Sequence, residues 1–207
     1  KEKLKSLAVP IVLNIGDEED FKGIVDLVKN VAIVWHEENY GSTWDVIDIP
    51  ENLKAETKKL RGELIEAIAD YDDKILEKYL YDPDSISEDE IHTALRAATQ
   101  DISIIPMVCG AAFKNKGIQR LLDAVVDYLP SPIEIPEVIG HTPEDSDILL
   151  ARKPSVEDPF SALAFKIMTD PYVGRLTFLR VYSGELKSGT TVINANNRRK
   201  ERIGRIL

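Results

Sequence analysis

The sequence predicts an α/β body followed by a smaller all-β segment. Three observations carry that prediction. Leu53, Thr57, Leu60, Leu64 and Ile68 recur every three or four positions, the period of a helix buried along one stripe. A continuous apolar run from Ile102 to Val108 is followed by a second helical pattern, the order of a buried strand feeding a helix. From Phe160 onward, short β-type runs alternate with turns rich in Gly and Pro. Charge changes sign at the same place. Residues 1–159 carry 17 Lys and Arg against 33 Asp and Glu, while residues 160–207 carry 9 against 3. The acidic part repels nucleic acid and the basic part can lie on a phosphate backbone, although mixed charge also serves plain solubility.

Composition excludes several classes. With 207 residues and 43% hydrophobic residues, the chain can build a real core and is no disordered tail. A single cysteine, Cys109, excludes a disulfide framework or a thiolate zinc cluster within the chain. No apolar run approaches the roughly 20 residues of a membrane span, and residues 1–5 lead into no signal-type core. The expectation is a cytoplasmic protein with no membrane partner. The chain begins at Lys rather than Met, and it stops inside a predicted strand. Both suggest a piece of something longer.

In chain order, residues 7–15 read as a strand with an early proline, hence an edge or a strand start. Gly16 and the acids 17–20 make a turn. Residues 24–35, rich in Val and Ile, read as a strand pair or one long bent strand; Gly41 marks a hairpin and residues 44–49 return. Pro50 opens the long helix. Glu56, Glu63, Glu66, Asp70, Asp73 and Glu77 share one face of it if it stays straight. Residues 70–73 can instead break it and cap a second helix ending near residues 81–83. Ser87 and Glu90 form a capping box that starts a helix carrying Ile91, Ala94, Leu95 and Ala98. The strand 102–108 ends in small residues, Cys109-Gly-Ala-Ala112. The helix after Gly117 puts Ile118, Leu121, Leu122, Val125 and Leu129 on one face, and residues 130–132 stop it. Pro136, Pro143 and Pro154 punctuate an extended linker. Strands are expected at 161–168, 175–183, 190–194 and 201–207, at the spacing of a barrel.

Self-contained chemistry is absent. The sequence holds no phosphate loop of the G-x-x-x-x-G-K-[ST] type, and Asn115-Lys116 lacks the Asp of a guanine-reading Asn-Lys-x-Asp. His36, His92 and His141 have no ligand spacing. Cys109 has no base near it in sequence and reads as a small core residue.

Three stretches nevertheless resemble the elongation factor G family of translational GTPases. They are residues 109–132 (Cys-Gly-Ala-Ala-Phe-Lys-Asn-Lys-Gly-Ile-Gln and the helix after it), residues 159–184, and residues 64–80. The resemblance implies a mixed α+β inserted subdomain over 1–101, residues 1–7 of it looking like the tail of a G-domain helix. It implies the last strand and helix of a P-loop-type G domain over 102–135, a linker over 136–158, and the first half of a β-barrel over 159–207. It implies a parent that binds GTP or GDP with Mg²⁺, hydrolyses GTP on the ribosome and moves tRNA and mRNA.

The resemblance also assigns roles. Gly110, Ala111 and Ala112 fall on the fifth guanine-nucleotide motif, usually Gly-Ser-Ala. The amide of Ala112 would donate to the guanine O6, where adenine offers a donor instead, while a hydroxyl contact is lost at Ala111. By residues alone this is an ordinary tight βα turn. Glu63, Glu66 and Asp70 fall on the acidic helix that meets the C-terminal domain of the ribosomal stalk protein; otherwise they are a solvated helix face. Arg198, Arg199, Lys200, Arg202 and Arg205 are candidates to touch ribosomal RNA, or else charges protecting an edge strand. The phosphate loop and switches would lie outside this chain. The chain alone is expected to hydrolyse no GTP, hold no metal and bind nucleotide weakly. Rival readings are a recycling-type paralogue and a non-enzymatic stalk-binding module.

Overall fold

The structure is a computed structural model and describes residues 6–142 and 147–207. Residues 1–5 of the expected N-terminal helix tail and 143–146 of the expected linker lie outside it. The chain divides into two compact units, Lys1–Leu129 and Pro130–Leu207.

The first unit begins with β1 (Ala8–Pro10) and β2 (Val12–Ile15). The single strand expected over 7–15 is therefore divided at Ile11. Ile11 donates its N–H to Met107 C=O at 3.0 Å, and its own C=O accepts from Leu27 N–H at 3.0 Å. One fully buried residue thus hands the chain from one sheet to another. Strands β3 (Gly23–Asp26), β4 (Val31–Trp35) and β5 (Trp44–Ile47) complete an antiparallel sheet in the order β2-β3-β4-β5. Its register pairs Leu13 with Val25, Ile24 with Ile33, and Trp35 with Trp44. Ile24, Val25 and Ala32 are wholly buried, which is why this stretch is an apolar run rather than an alternating one.

A turn of 3₁₀ helix, Glu51–Leu53, leads into α1 (Lys54–Ala69). The expected stripe is buried at Thr57, Leu64 and Ile68, with Leu53 and Leu60 packed at its margin. The helix does not stay straight past residue 70. Helix α2 (Asp73–Tyr81) starts afresh, with the Asp72 carboxylate accepting from Lys74 N–H at 2.8 Å. Asp73 and Glu77 therefore leave the acidic face of α1. Helix α3 (Glu88–Gln100) buries Ile91, Ala94, Leu95 and Ala98 as the sequence requires.

The capping box at its start is complete. Glu90 N–H donates to Ser87 Oγ at 3.3 Å and Ser87 N–H to Glu90 Oε2 at 2.8 Å. Lys78 Nζ lies 2.7 Å from the same carboxylate and ties α2 to α3. Lys78 first, then Ser87, holds the Glu90 carboxyl down at about 2 against an ordinary 4.5. A depressed folded-state value means the contribution is present above pH 4.5 and is lost as pH falls toward 2. Ser87→Ala removes the cap and is expected to cost about 1 kcal/mol. Urea unfolding at pH 7 measures it; a change below experimental error would show the box to be idle.

Two expectations fail in the last part of this unit. The buried strand over 102–108 is the short β6 (Ile105–Met107), with Ile105 and Met107 exposed and Ile104 buried. It pairs in parallel with β1 alone, so no further strand shelters its outer side among the described residues. Helix α4 (Ile118–Tyr128) also turns the other way. Leu121, Leu122 and Val125 are exposed, while Arg120, Ala124 and Tyr128 are buried. Of that row, Tyr128 meets His92 of α3 and Arg120 meets Asp26 of β3, which the apolar spacing did not reveal.

In the second unit, β7 (Val138–His141) and β8 (Leu149–Arg152) pair antiparallel within the stretch expected to be an extended linker. Strands β9 (Ser161–Asp170) and β10 (Gly174–Ser183) form a long hairpin, with a bulge where Lys166 pairs with Phe178 but Ala164 with Leu179. Strands β11 (Thr191–Asn194) and β12 (Arg199–Arg202) form another. Among the described residues, the stretch expected to be the first half of a barrel forms separate two-stranded sheets, antiparallel throughout. Phe165, Ile167 and Phe178 remain exposed, since two-stranded ribbons cannot enclose a core.

Candidate functional site

The turn after β6 is built from small residues at close quarters. Ala111 donates its N–H to Lys116 C=O at 2.9 Å, and Lys116 N–H returns to Ala111 C=O at 3.1 Å. Between them, residues Ala112–Lys114 wind one 3₁₀ turn, closed by Lys114 N–H to Ala111 C=O at 3.0 Å and by Asn115 in the left-handed region. A Cβ on Gly110 would stand 2.8 Å from Lys116 O, so no side chain fits there. Gly117 follows at φ +83°, where glycine alone is unstrained.

Ala112 occupies the first position of the 3₁₀ turn and is exposed. Its C=O accepts from Asn115 N–H at 3.0 Å, but its own N–H enters none of the turn's backbone hydrogen bonds. Of the three expected nucleotide contacts, Gly110 permits the close approach, Ala111 has its backbone committed to the Lys116 bridge, and Ala112 carries the available donor. Cys109 is half-buried beside the core, and burial raises its thiol pKa, which opposes nucleophilic reactivity.

The same turn is gripped by the neck of the antiparallel sheet. Lys114 Nζ donates to Glu19 C=O at 2.9 Å. Lys116 Nζ donates to Phe21 C=O at 3.1 Å and to Glu37 Oε1 at 2.7 Å. Gln119 accepts from Trp35 Nε1 and donates to Gly41 C=O, each at 3.1 Å. Further along α4, Arg120 Nε lies 2.8 Å from Asp26 Oδ2, and Tyr128 OH lies 2.9 Å from His92 Nδ1. None of these pairings was legible in the sequence, and His92 stood there only as a histidine without ligand spacing. Lys116 stood there only as part of an incomplete Asn-Lys-x-Asp. The available signal was polarity out of place: Asp26 inside Ile-Val-Asp-Leu-Val, and Arg120 inside an amphipathic helix.

The acidic candidates sit elsewhere in the first unit. Glu63, Glu66 and Asp70 are exposed; Asp70 keeps helical φ and ψ as the cap residue, so positions 63, 66 and 70 share one face. Glu63 meets Lys59 at 3.8 Å, and the last turn of α1 holds no basic residue.

The basic candidates divide. Arg198 has φ +58° in the turn before β12, with its N–H on Asn194 C=O at 2.8 Å. Lys200 and Arg202 lie on one face of β12, opposite Ile193 and Thr191; Arg199 and Glu201 lie on the other. The expected strand over 201–207 is thus shifted toward the turn, and Arg205 falls beyond it. Glu201 accepts from Asn194 Nδ2 at 2.7 Å, and its carboxylate, on the same face as Arg199, partly neutralises that second face. Among the described residues, no cluster of three or more His, Cys, Asp or Glu could hold a metal ion.

Comparison with known proteins bears on the whole chain. Residues 159–207 match the family model described as elongation factor G domain 2. The full 207 residues are 51% identical to a protein named elongation factor G from Amoebophilus asiaticus and 53% identical to one of the same name from Cytophaga hutchinsonii. The chain spans 29% of the length of each. A crystal structure of a protein from Thermus thermophilus superposes with a TM-score of 0.64, covering 95% of this chain and 26% of that one at 22% identity. That likeness concerns the fold.

Proposed function

Over the stretch that it spans, the chain belongs to the elongation factor G family, and from that premise we propose that it works as part of a ribosomal translocase. The whole protein would bind GTP and GDP with Mg²⁺, hydrolyse GTP on the ribosome in the cytoplasm, and move tRNA and mRNA. Neither a recycling-type paralogue nor a free-standing binding module is favoured by relatives that share one name over all 207 residues. The metal finds no matching donor set among the described residues of this chain, so no step of hydrolysis is assigned to it. What this chain supplies is recognition.

One observation carries the assignment of Gly110, Ala111 and Ala112 to the guanine base. The Ala112 amide stands free of its own turn while the backbone on either side is fixed by hydrogen bonds. A preorganised donor of that kind suits the O6 acceptor of guanine and disfavours the amino group of adenine. Glu63, Glu66 and Asp70 would face the C-terminal domain of the stalk protein, and Arg198, Arg199, Lys200, Arg202 and Arg205 would lie toward ribosomal RNA.

Ala112→Pro tests the base contact in the full-length protein. Proline is tolerated at the first position of a helical turn, and Ala111, at φ −116° and ψ 91°, is extended as the residue before proline must be. The substitution replaces the N–H with a ring methylene and leaves the turn's own backbone hydrogen bonds in place. Titration with fluorescent GDP and ADP is expected to show GDP affinity falling by roughly tenfold or more, as for a lost hydrogen bond to a buried acceptor, with ADP unchanged. An unaltered preference for GDP overturns the reading.

A further inference from the structure

We infer that Lys116 is the positioning residue of the base-reading turn, and that through it the antiparallel sheet of the first unit sets how well guanine is recognised. The inference rests on the assignment of Gly110, Ala111 and Ala112 to the base.

Lys116 is bound at both ends. Its backbone N–H and C=O close the bridge to Ala111, the residue immediately before the proposed donor. Its ammonium lies beneath the surface, the side chain being only 2% exposed, and reaches Phe21 C=O and Glu37 Oε1. An ammonium so buried is held only where acceptors compensate the loss of water. The Lys116 stem therefore cannot relax independently of residues 21 and 37. Those residues flank β3 and β4, so a displacement of the sheet is delivered to the backbone of Ala111.

The surrounding contacts make this a directed linkage. Lys114 to Glu19 and Gln119 to Trp35 and Gly41 hold the flanks of the turn to the same sheet. Gly41 comes so close that a Cβ there would stand 2.7 Å from Lys114 O. Of these anchors, Lys116 alone commits both its backbone groups to the residue next to Ala112. Glu37 differs from Lys116 in exposure: its side chain is 74% accessible, so a partner bound at the sheet neck can compete for it. Lys116 holds its carboxyl below the ordinary range, leaving it ionised and paired at neutral pH.

The consequence is specific. Loosening Lys116 should degrade recognition of guanine O6 without touching whatever residues hold phosphate. Two variants of the full-length protein test it, each titrated with fluorescent GDP and ADP beside a thermal melt. Lys116→Met keeps the length of the stem and removes the ammonium. The ratio of GDP to ADP affinity is expected to fall about tenfold, the scale of a broken coupling contact. Glu37→Gln keeps a neutral acceptor and should lower the ratio about threefold on the same scale. A residue with a merely structural role would shift the melt and both nucleotides together, leaving the ratio where it was. If Lys116→Met fails to fold, Glu37→Gln decides, because its exposed side chain can change without opening the core. An unchanged ratio in the folded variants, with Ala112→Pro still lowering the preference, overturns the linkage and leaves base recognition standing. An unchanged ratio in Ala112→Pro removes the premise and the linkage with it.

Discussion

Asp26→Ala is expected to cost the first unit about 3–5 kcal/mol, the scale of an uncompensated buried charge. Asp26 is fully buried and Arg120 is 5% exposed, and their Oδ2 and Nε atoms lie 2.8 Å apart. Asp26 Oδ1 also accepts from Val28 and Lys29 N–H at 3.0 Å each, turning the chain out of β3. Alanine would strand the guanidinium and open that turn at once. Asp127, 3.5 Å from Arg120 Nη1, is too exposed to compensate in full. The two losses can be separated. Arg120→Met leaves the turn intact and strands only the carboxylate, so the double variant should cost clearly less than the two single costs added. Urea unfolding of the three variants measures this. A cost under about 1 kcal/mol for Asp26→Ala would mean that water enters and solvates Arg120, and the seam between β3 and α4 would then be wet.

That ion pair also shows where sequence stops being informative. Helices α1, α2 and α3 were legible because a helix's own period and caps show where it runs and which side it buries, the Ser87–Glu90 box being the clearest instance; the division of 7–15 at Ile11 was not, and β3 is buried throughout while β5 is exposed throughout. The buried side of helix α4 was not legible either. Its apolar row, Leu121, Leu122 and Val125, has the stronger period, yet the buried row holds Arg120, Ala124 and Tyr128. Arg96 Nη1 donates to the α4 carbonyl of Asp127, and His92 stacks on Tyr128 with centroids 5.5 Å apart. Polar partners from distant sequence outweighed local hydrophobicity, and only three-dimensional placement identifies them. The half-barrel expected over 159–207 poses a related problem. Alternation along β9 and β10 specifies a face, but closure depends on strands that must come to cover it. At the turn after β6, the family resemblance alone picked out Gly110 and Ala112, whereas Lys116 needed the fold to bring Phe21 and Glu37 beside it.

Glu66→Lys with Asp70→Lys is expected to move stability and binding in opposite directions. Both carboxylates stand in or at the end of the last turn of α1, which is the negative end of the helix dipole, and no basic residue offsets them there. No ion pair joins either of them to another described residue. For the helix alone this is the wrong charge in the wrong place, and lysine at each position should stabilise it by about 0.3–1 kcal/mol. Binding is predicted to respond the other way. An exposed acidic face draws a basic partner mainly by accelerating encounter. Reversing two of its three carboxylates should slow association with the stalk protein's C-terminal domain by about 10- to 100-fold at low salt, less as salt screens the field. Dissociation should change far less. The opposed signs make the outcome decisive, because a variant that melts higher cannot have lost its partner by unfolding. A higher melting temperature with unchanged association would leave the acidic face as solvated surface and place the stalk contact elsewhere. A higher melting temperature with salt-dependent slowing would identify the misplaced charge as the cost that α1 bears for its partner.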